Sequence, residues 1–188
     1  MGRPLLAVAA GVLCALLAGA VVPPGGARAA ADDVSERLGD CQDDETENDD
    51  RTEICTRIIE DMSLPEDLRA EALINRGIVH LDERKPKLAL ADFEQAIAFN
   101  PEYPAAHAYR GEAHKAMELF DKALSDYDRA IALDKESADL YAFRGDIHRR
   151  MGALDKARAD FETALRLERG HEVAILGMKA LGIKQPRP

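Results

Sequence analysis

The sequence predicts an all-α fold, an α-solenoid of stacked helix hairpins. One observation is a fixed 34-residue period, set by the Arg-Gly pairs Arg76-Gly77, Arg110-Gly111 and Arg144-Gly145. A second is that an alanine, an aromatic residue and another alanine follow each pair at constant offsets: Ala89, Phe93, Ala96; Ala123, Tyr127, Ala130; and Ala157, Phe161, Ala164. Such a period is typical of stacked repeats, which bury their apolar faces only against neighbouring repeats.

Each period contains two helical patterns, which is the third observation. In the first period, apolar residues follow a 3.6-residue spacing from Leu73 to Leu81 and again from Leu88 to Ile97. Pro86 suits the first turn of the second helix, where its missing N–H is not needed. Gly77 falls in mid-helix, where glycine costs ~1 kcal/mol relative to alanine. Its recurrence at one register predicts that two helices approach closely there.

These positions, with Pro101 closing the first period, resemble the tetratricopeptide repeat family, in the bacterial variant that carries Asn75-Arg76-Gly77. The resemblance covers roughly residues 70 to 169. It implies three helix hairpins, at 70–103, 104–137 and 138–170, and a C-terminal capping helix with its tail at 171–188. The closing proline is absent from the later repeats, and the family's tyrosine after each glycine is replaced by histidine.

The first 31 residues have the layout of a secretory signal peptide. Arg3 precedes an apolar run from Leu5 to Val22, and small residues offer cleavage after Ala29 or Ala31. A retained membrane anchor is the alternative. The sequence therefore predicts a periplasmic or secreted bacterial protein.

Residues 32–69 form an acidic segment with a degenerate repeat. Cys41 and Cys55 are expected to pair as a disulfide, since exported chains meet an oxidising compartment; two unpaired thiols are the alternative. The acid-rich run 40–53 is interpreted as a solvated loop, because its spacing departs from that of a calcium loop. Residues 63–66 (Ser-Leu-Pro-Glu) are expected to form a capping box at the next helix.

Charge and motifs restrict the function. The net charge of −10 becomes −12 when residues 1–31 are removed with their two basic residues, which argues against nucleic acid and against electrostatic docking on an anionic membrane. No phosphate-binding loop, zinc spacing or nucleophile motif is present in the sequence. We therefore predict no cofactor, no metal and no catalytic residue; an enzyme is the least supported alternative.

Two polar series repeat with the period. Histidines at one repeat position (His80, His114 and His148) are too far apart for a single metal ion, because packed helices lie ~8–10 Å apart; they are interpreted as packing residues. Each Arg of the Arg-Gly pairs is followed sixteen residues later by an aspartate: Asp92, Asp126 and Asp160. This spacing predicts ion pairs between facing helices, with acidic-ligand binding by the arginines as the alternative.

The family resemblance implies a concave groove lined by the first helix of each repeat. Carried over residue by residue, it gives the partner-binding positions Asn75, Ile78, Tyr109, Glu112, Lys115, Phe143, Asp146 and Arg149. Packing of Tyr109 and Phe143 between helices is the alternative. The family's clamp for C-terminal carboxylates needs lysine and asparagine at several of these positions, and only Asn75 fits, so chaperone-tail binding is not implied.

We therefore expect an exported, non-catalytic adaptor that binds a protein or peptide in its groove. A self-associating structural envelope protein is the alternative. The apolar arc of the last helix, which includes Val173, Leu176 and Met178, predicts that this helix covers a partner or a second copy as a homodimer.

Overall fold

Helices follow one another along the chain with short turns between them. The computed structural model describes residues 35–43 and 47–183. Within these ranges the chain forms nine helices and no strand, which confirms the all-α fold class. They are α1 (35–42), α2 (Asn48–Glu60), α3 (Glu66–Asp82), α4 (Pro86–Phe99), α5 (Pro104–Ala116), α6 (Phe120–Leu133), α7 (Ala138–Arg150), α8 (Leu154–Leu167) and α9 (Glu172–Ala180). The expected signal peptide at 1–31 and the tail at 184–188 lie outside the described residues.

The helices pair as hairpins that stack in chain order. Helix α3 packs on α4, α5 on α6 and α7 on α8, while α4 also contacts α5 and α6 contacts α7. The three hairpin turns are alike, since Arg84, Glu118 and Gly152 occupy equivalent positions and all have positive φ, at 58°, 60° and 77°. At each turn an N–H bonds to the carbonyl five residues earlier, for example Lys85 N to His80 O at 2.7 Å. This left-handed ending satisfies helix carbonyls that would otherwise lack a donor.

The repeated glycines let an aromatic ring lie against a helix backbone. A Cβ on Gly77 would stand 2.4 Å from a ring carbon of Phe93, and one on Gly145 would stand 2.8 Å from Phe161. Because both rings are fully buried, they have no free space into which to move. A Cβ on Gly177 of α9 would also meet the ring of Phe161, at 2.3 Å. The last helix therefore packs on the stack through the same kind of glycine–ring contact that joins the two helices of a repeat.

The predicted Arg–Asp pairs are confirmed. Asp92, Asp126 and Asp160 are buried, and each accepts two hydrogen bonds from the arginine sixteen residues earlier. The repeated histidines face the same carboxylates: His114 Nδ1 lies 2.8 Å from Asp126, while His80 and His148 lie 3.7 and 3.8 Å from theirs. The two series form one Arg–Asp–His layer per repeat, in which the histidines contact an ion pair rather than an apolar layer.

The N-terminal helices are joined covalently. Cys41 of α1 and Cys55 of α2 form a disulfide, with Cα atoms 5.3 Å apart and both side chains buried. Two expectations for this region are wrong. The acid-rich run is not a loop throughout, since α2 begins at Asn48 and places Asp49 and Asp50 in its first turn, where acidic side chains favour a helix.

The expected capping box at residues 63–66 does not form. Helix α3 starts at Glu66 with Pro65 as its N-cap residue and no side-chain cap. Ser63 instead donates to the carboxylate of Asp61 through its hydroxyl and its N–H. The nearer aspartate forms a local turn with Ser63, so the serine is not available to cap α3.

Candidate partner-binding groove

The first helices of the three hairpins enclose a groove of about 740 Å³. Its volume is within the ~300–1,000 Å³ typical of ligand sites. Its walls come from the end of α3, from α5, and from the start of α7 with the turn before it. The lining residues are Ile78, Leu81, Asp82, Tyr103, Pro104, Ala105, Ala108, Tyr109, Glu112, Asp134, Ser137, Asp139, Leu140 and Phe143.

Tyr109 and Phe143 line this groove and also pack on the core. Each ring is half-buried. The ring of Tyr109 stacks on buried Phe93 with centroids 5.8 Å apart, and Phe143 lies 6.2 Å from buried Tyr127 at a 44° tilt. One side of each ring therefore faces the groove and the other faces the interior. The groove interpretation and the packing interpretation each describe part of the environment of these rings.

Glu112 is a fixed carboxylate in the groove wall. Its Oε1 accepts a hydrogen bond from the hydroxyl of Tyr127, and its Oε2 pairs with the Lys115 ammonium. Burial, reinforced by the negative charge of Glu112, raises the pKa of Tyr127 well above its ordinary value, so the phenol stays protonated and donates. These two contacts hold the carboxylate in one position before any partner arrives.

Four predicted binding residues do not line the groove: Asn75, Lys115, Asp146 and Arg149. Asp146 is occupied by Arg149 and Arg150, whose nitrogens lie 2.6 and 2.9 Å from it. Burial acts to raise the pKa of Asp146, but hydrogen bonds from the two arginines hold it below its usual value. The Lys115 ammonium lies 5.8 Å from the Phe143 ring and is turned towards Glu112.

Asn75 lies on α3 with a half-buried side chain. Its amide nitrogen is buried and has no hydrogen-bond partner among the described residues. Of the eight predicted positions, the groove thus brings together Ile78, Tyr109, Glu112 and Phe143.

The sequence interpretation missed one strip of the groove. Tyr103 and Ser137 occupy equivalent positions just before α5 and α7, and both line it, as does Asp139 two residues after Ser137. The 34-residue period relates Tyr103 to Ser137 and would have identified them as a pair. Both residues lie before the first helix of a repeat, outside the positions that the family resemblance implies for the groove.

The charge of the lining is of one sign. Asp82, Glu112, Asp134 and Asp139 line the groove, whereas no lysine, arginine or histidine does so among residues 35–43 and 47–183. The described part of the chain holds no group of three or more His, Cys, Asp or Glu side chains placed to bind an ion. Across the same residues, no helix combines the length and apolarity that crossing a bilayer requires.

Comparison with known proteins agrees with this architecture. The tetratricopeptide repeat model matches residues 70–103 and 138–171. The chain carries tetratricopeptide repeats. No curated protein matches the chain.

Several solved structures of such repeats are similar. The second repeat domain of human RPAP3 with the HSP70 peptide SGPTIEEVD is 27% identical, with a TM-score of 0.57 over 63% of this chain and 97% of that one. The second repeat domain of Spaghetti (RPAP3), bound to the HSP90 peptide SRMEEVD, is 30% identical, with a TM-score of 0.51 over 53% and 92%. A MamA crystal structure, at 19% identity and a TM-score of 0.63 over 81% and 85%, shares the fold.

Proposed function

We propose that this protein is an exported, non-catalytic adaptor that binds a segment of another protein in the groove between α3, α5 and α7. The observation that carries the proposal is the groove itself, in which half-exposed Tyr109 and Phe143 stand on buried rings. Aromatic anchors on a rigid support are the residues that most often dominate protein interfaces. The two RPAP3 domains, similar in fold, were solved with peptides bound.

Export rests on two features. Residues 1–31 have the signal-peptide layout, and the disulfide between Cys41 and Cys55 suits an oxidising compartment. Both features support a periplasmic or secreted location.

The test is capture of proteins from the native envelope with three baits. Because Tyr109 and Phe143 also pack inside, alanine at either position would change stability and binding together. Ala105→Trp instead fills the groove from a half-buried position in the first turn of α5. The matched control is Leu88→Ala with Leu154→Ala, which removes two exposed leucines outside the groove.

A groove partner should be recovered by the wild type and the control and lost with Ala105→Trp. Recovery of the same proteins by all three baits would contradict groove binding. A new enzymatic turnover by the purified protein would contradict the non-catalytic role.

Self-association is the second candidate, and one observation favours it. Ala174, Gly177 and Met178 of α9 are buried in the stack, but Val173 and Leu176 remain exposed. Light scattering across about a hundredfold range of concentration tests a homodimer through this helix. The wild type should form a dimer that Leu176→Glu dissociates; a monomer throughout contradicts this candidate.

A further inference from the structure

We propose that the groove selects a segment in which apolar side chains stand next to lysine or arginine. This inference rests on the proposed function, binding of a protein segment in the groove, and adds the chemistry of that segment. It is carried by the combination of an apolar floor with carboxylates from three helices.

The floor supplies the apolar contact. Ile78, Leu81, Tyr109, Leu140 and Phe143 line one continuous groove, and Tyr109 and Phe143 are held by rings that are themselves fully buried. A surface that is already in place costs little conformational entropy on binding. Apolar contact with this floor does not by itself discriminate between positively and negatively charged segments.

The carboxylates decide the sign of the charge. Asp82 ends α3, Glu112 lies on α5, and Asp134 and Asp139 stand on either side of the start of α7. Asp82 and Asp139 are exposed at the rim. Because they come from different helices, the carboxylates surround the floor rather than forming one patch beside it.

Neighbouring side chains contact only some of these carboxylates. Lys115 pairs with Glu112, and His171 Nε2 lies 2.9 Å from Asp139. Neither Asp82 nor Asp134 forms an ion pair with another described residue: the nearby Lys85 pairs with Glu83, and Asp134 accepts the N–H of Glu136. A lysine or arginine of the partner would therefore meet unpaired carboxylates, whereas an acidic segment would be repelled.

This charge pattern is opposite to what an acidic tail needs. The HSP70 peptide held by the human RPAP3 domain, SGPTIEEVD, carries adjacent glutamates and a terminal aspartate. In the present groove such residues would lie near Asp82, Asp134 and Asp139. Similarity of fold therefore does not carry similarity of partner.

The test uses two synthetic fluorescent peptides with identical apolar residues, in which every charged position is lysine in one and glutamate in the other. SGPTIEEVD serves as a third probe. Binding to the purified protein is measured by anisotropy at about 50 mM and about 500 mM NaCl. The groove variant is Asp82→Asn with Glu112→Gln and Asp139→Asn, which removes three negative charges and keeps the size of each side chain.

A matched control corrects for the acidity of the whole chain. Glu60→Gln, Glu94→Gln and Glu168→Gln together remove three exposed carboxylates outside the groove. The lysine peptide should bind, and the glutamate peptide and SGPTIEEVD should not. The groove variant should weaken the lysine peptide about tenfold, as expected for three surface charges, and the control should change it by less than about twofold.

Each contrary outcome has a distinct meaning. Equal binding of both peptides, abolished by Ala105→Trp, overturns the charge inference and leaves the groove function intact. Equal weakening by the groove and control variants shows binding to overall charge and overturns the inference. Absence of any peptide binding, or a second copy of this chain in the groove, also overturns it, while the three-bait capture decides the proposed function separately.

Discussion

The buried phenol of Tyr127 donates a hydrogen bond to Glu112, a carboxylate of the groove wall on the preceding helix. The other repeats have phenylalanine at this position, Phe93 and Phe161, whose rings are equally buried. At this position the middle repeat therefore differs from its neighbours by one hydroxyl group, and that group contacts a charged residue of the candidate binding site.

Replacing Tyr127 by phenylalanine should keep the fold and reduce the free energy of unfolding by about 1 kcal/mol, the usual worth of one hydrogen bond. The ring fits, since phenylalanine occupies the equivalent sites. Urea unfolding measures the change. In a double-mutant cycle with Glu112→Ala, the two substitutions should couple by about 1 kcal/mol; strict additivity would mean that the contact contributes nothing.

Adding a methyl group at Gly177 of α9 should destabilise the packing of this helix on the stack. Gly177→Ala would place its Cβ 2.3 Å from the buried Phe161 ring. Overpacking of this kind costs up to about 3 kcal/mol, offset by about 1 kcal/mol of better helix propensity, so we expect a net loss of about 2 kcal/mol.

The control for this prediction is Gly170→Ala. A Cβ at Gly170 meets nothing within 4 Å. This substitution should change stability by less than about 0.5 kcal/mol. Equal thermal melting of both variants would refute the steric role of Gly177.

Removal of the disulfide should loosen the N-terminal helices. Cys41 and Cys55 are 14 residues apart, and closing a loop of that size contributes about 3 kcal/mol in the chain-entropy account. Cys41→Ala with Cys55→Ala should accelerate amide hydrogen exchange in α1 and α2 and leave α5 to α8 protected, because each repeat contacts only its neighbours.

A thiol titration of the denatured, unreduced protein checks the pairing and the export together. The chain has three cysteines, and Cys14 lies within residues 1–31. A processed protein with the disulfide should show no free thiol. One reactive thiol would indicate that the N-terminal segment is retained, and two or more would contradict the pairing.

Acidification should reduce stability through His148. Burial lowers its pKa below 6.5, against the opposing effect of Asp160. The folded protein then binds fewer protons at this site than the unfolded chain, so the contribution of His148 is present above pH 6.5 and is lost as the pH falls through the folded pKa.

Urea unfolding of the wild type and His148→Gln at about pH 7.5 and about pH 5.5 measures this contribution. The difference in unfolding free energy between the two proteins should shift with pH, with the wild type losing more than the variant on acidification. An unchanged difference would show that His148 does not titrate differently on folding.

The repeat period made most of the fold predictable. Gly77, Phe93 and their equivalents predict a contact between the two helices of a repeat. Because the contact recurs three times at the same spacing, stacked helix hairpins are the architecture that buries all three copies. Arg76 and Asp92 were predictable partners for the same reason, since their sixteen-residue separation repeats unchanged. The cap expected at Ser63 was wrong because Asp61, two residues earlier, accepts the hydrogen bonds of Ser63 in a local turn.

Only half of the predicted groove positions line the groove, because the position of a residue on its own helix does not show which residues of other helices lie beside it. The sequence by itself determined that Ile78, Tyr109, Glu112 and Phe143 stand on the first helices of the repeats. It also placed Asp146 and Arg149 three residues apart on one helix, a spacing at which side chains can pair. Only the tertiary structure decided that Tyr127 of α6 reaches Glu112 and that Asp82, Asp134 and Asp139 converge on one floor. Such contacts depend on how the two helices of a hairpin, and successive hairpins, pack against each other, and no local spacing records that packing.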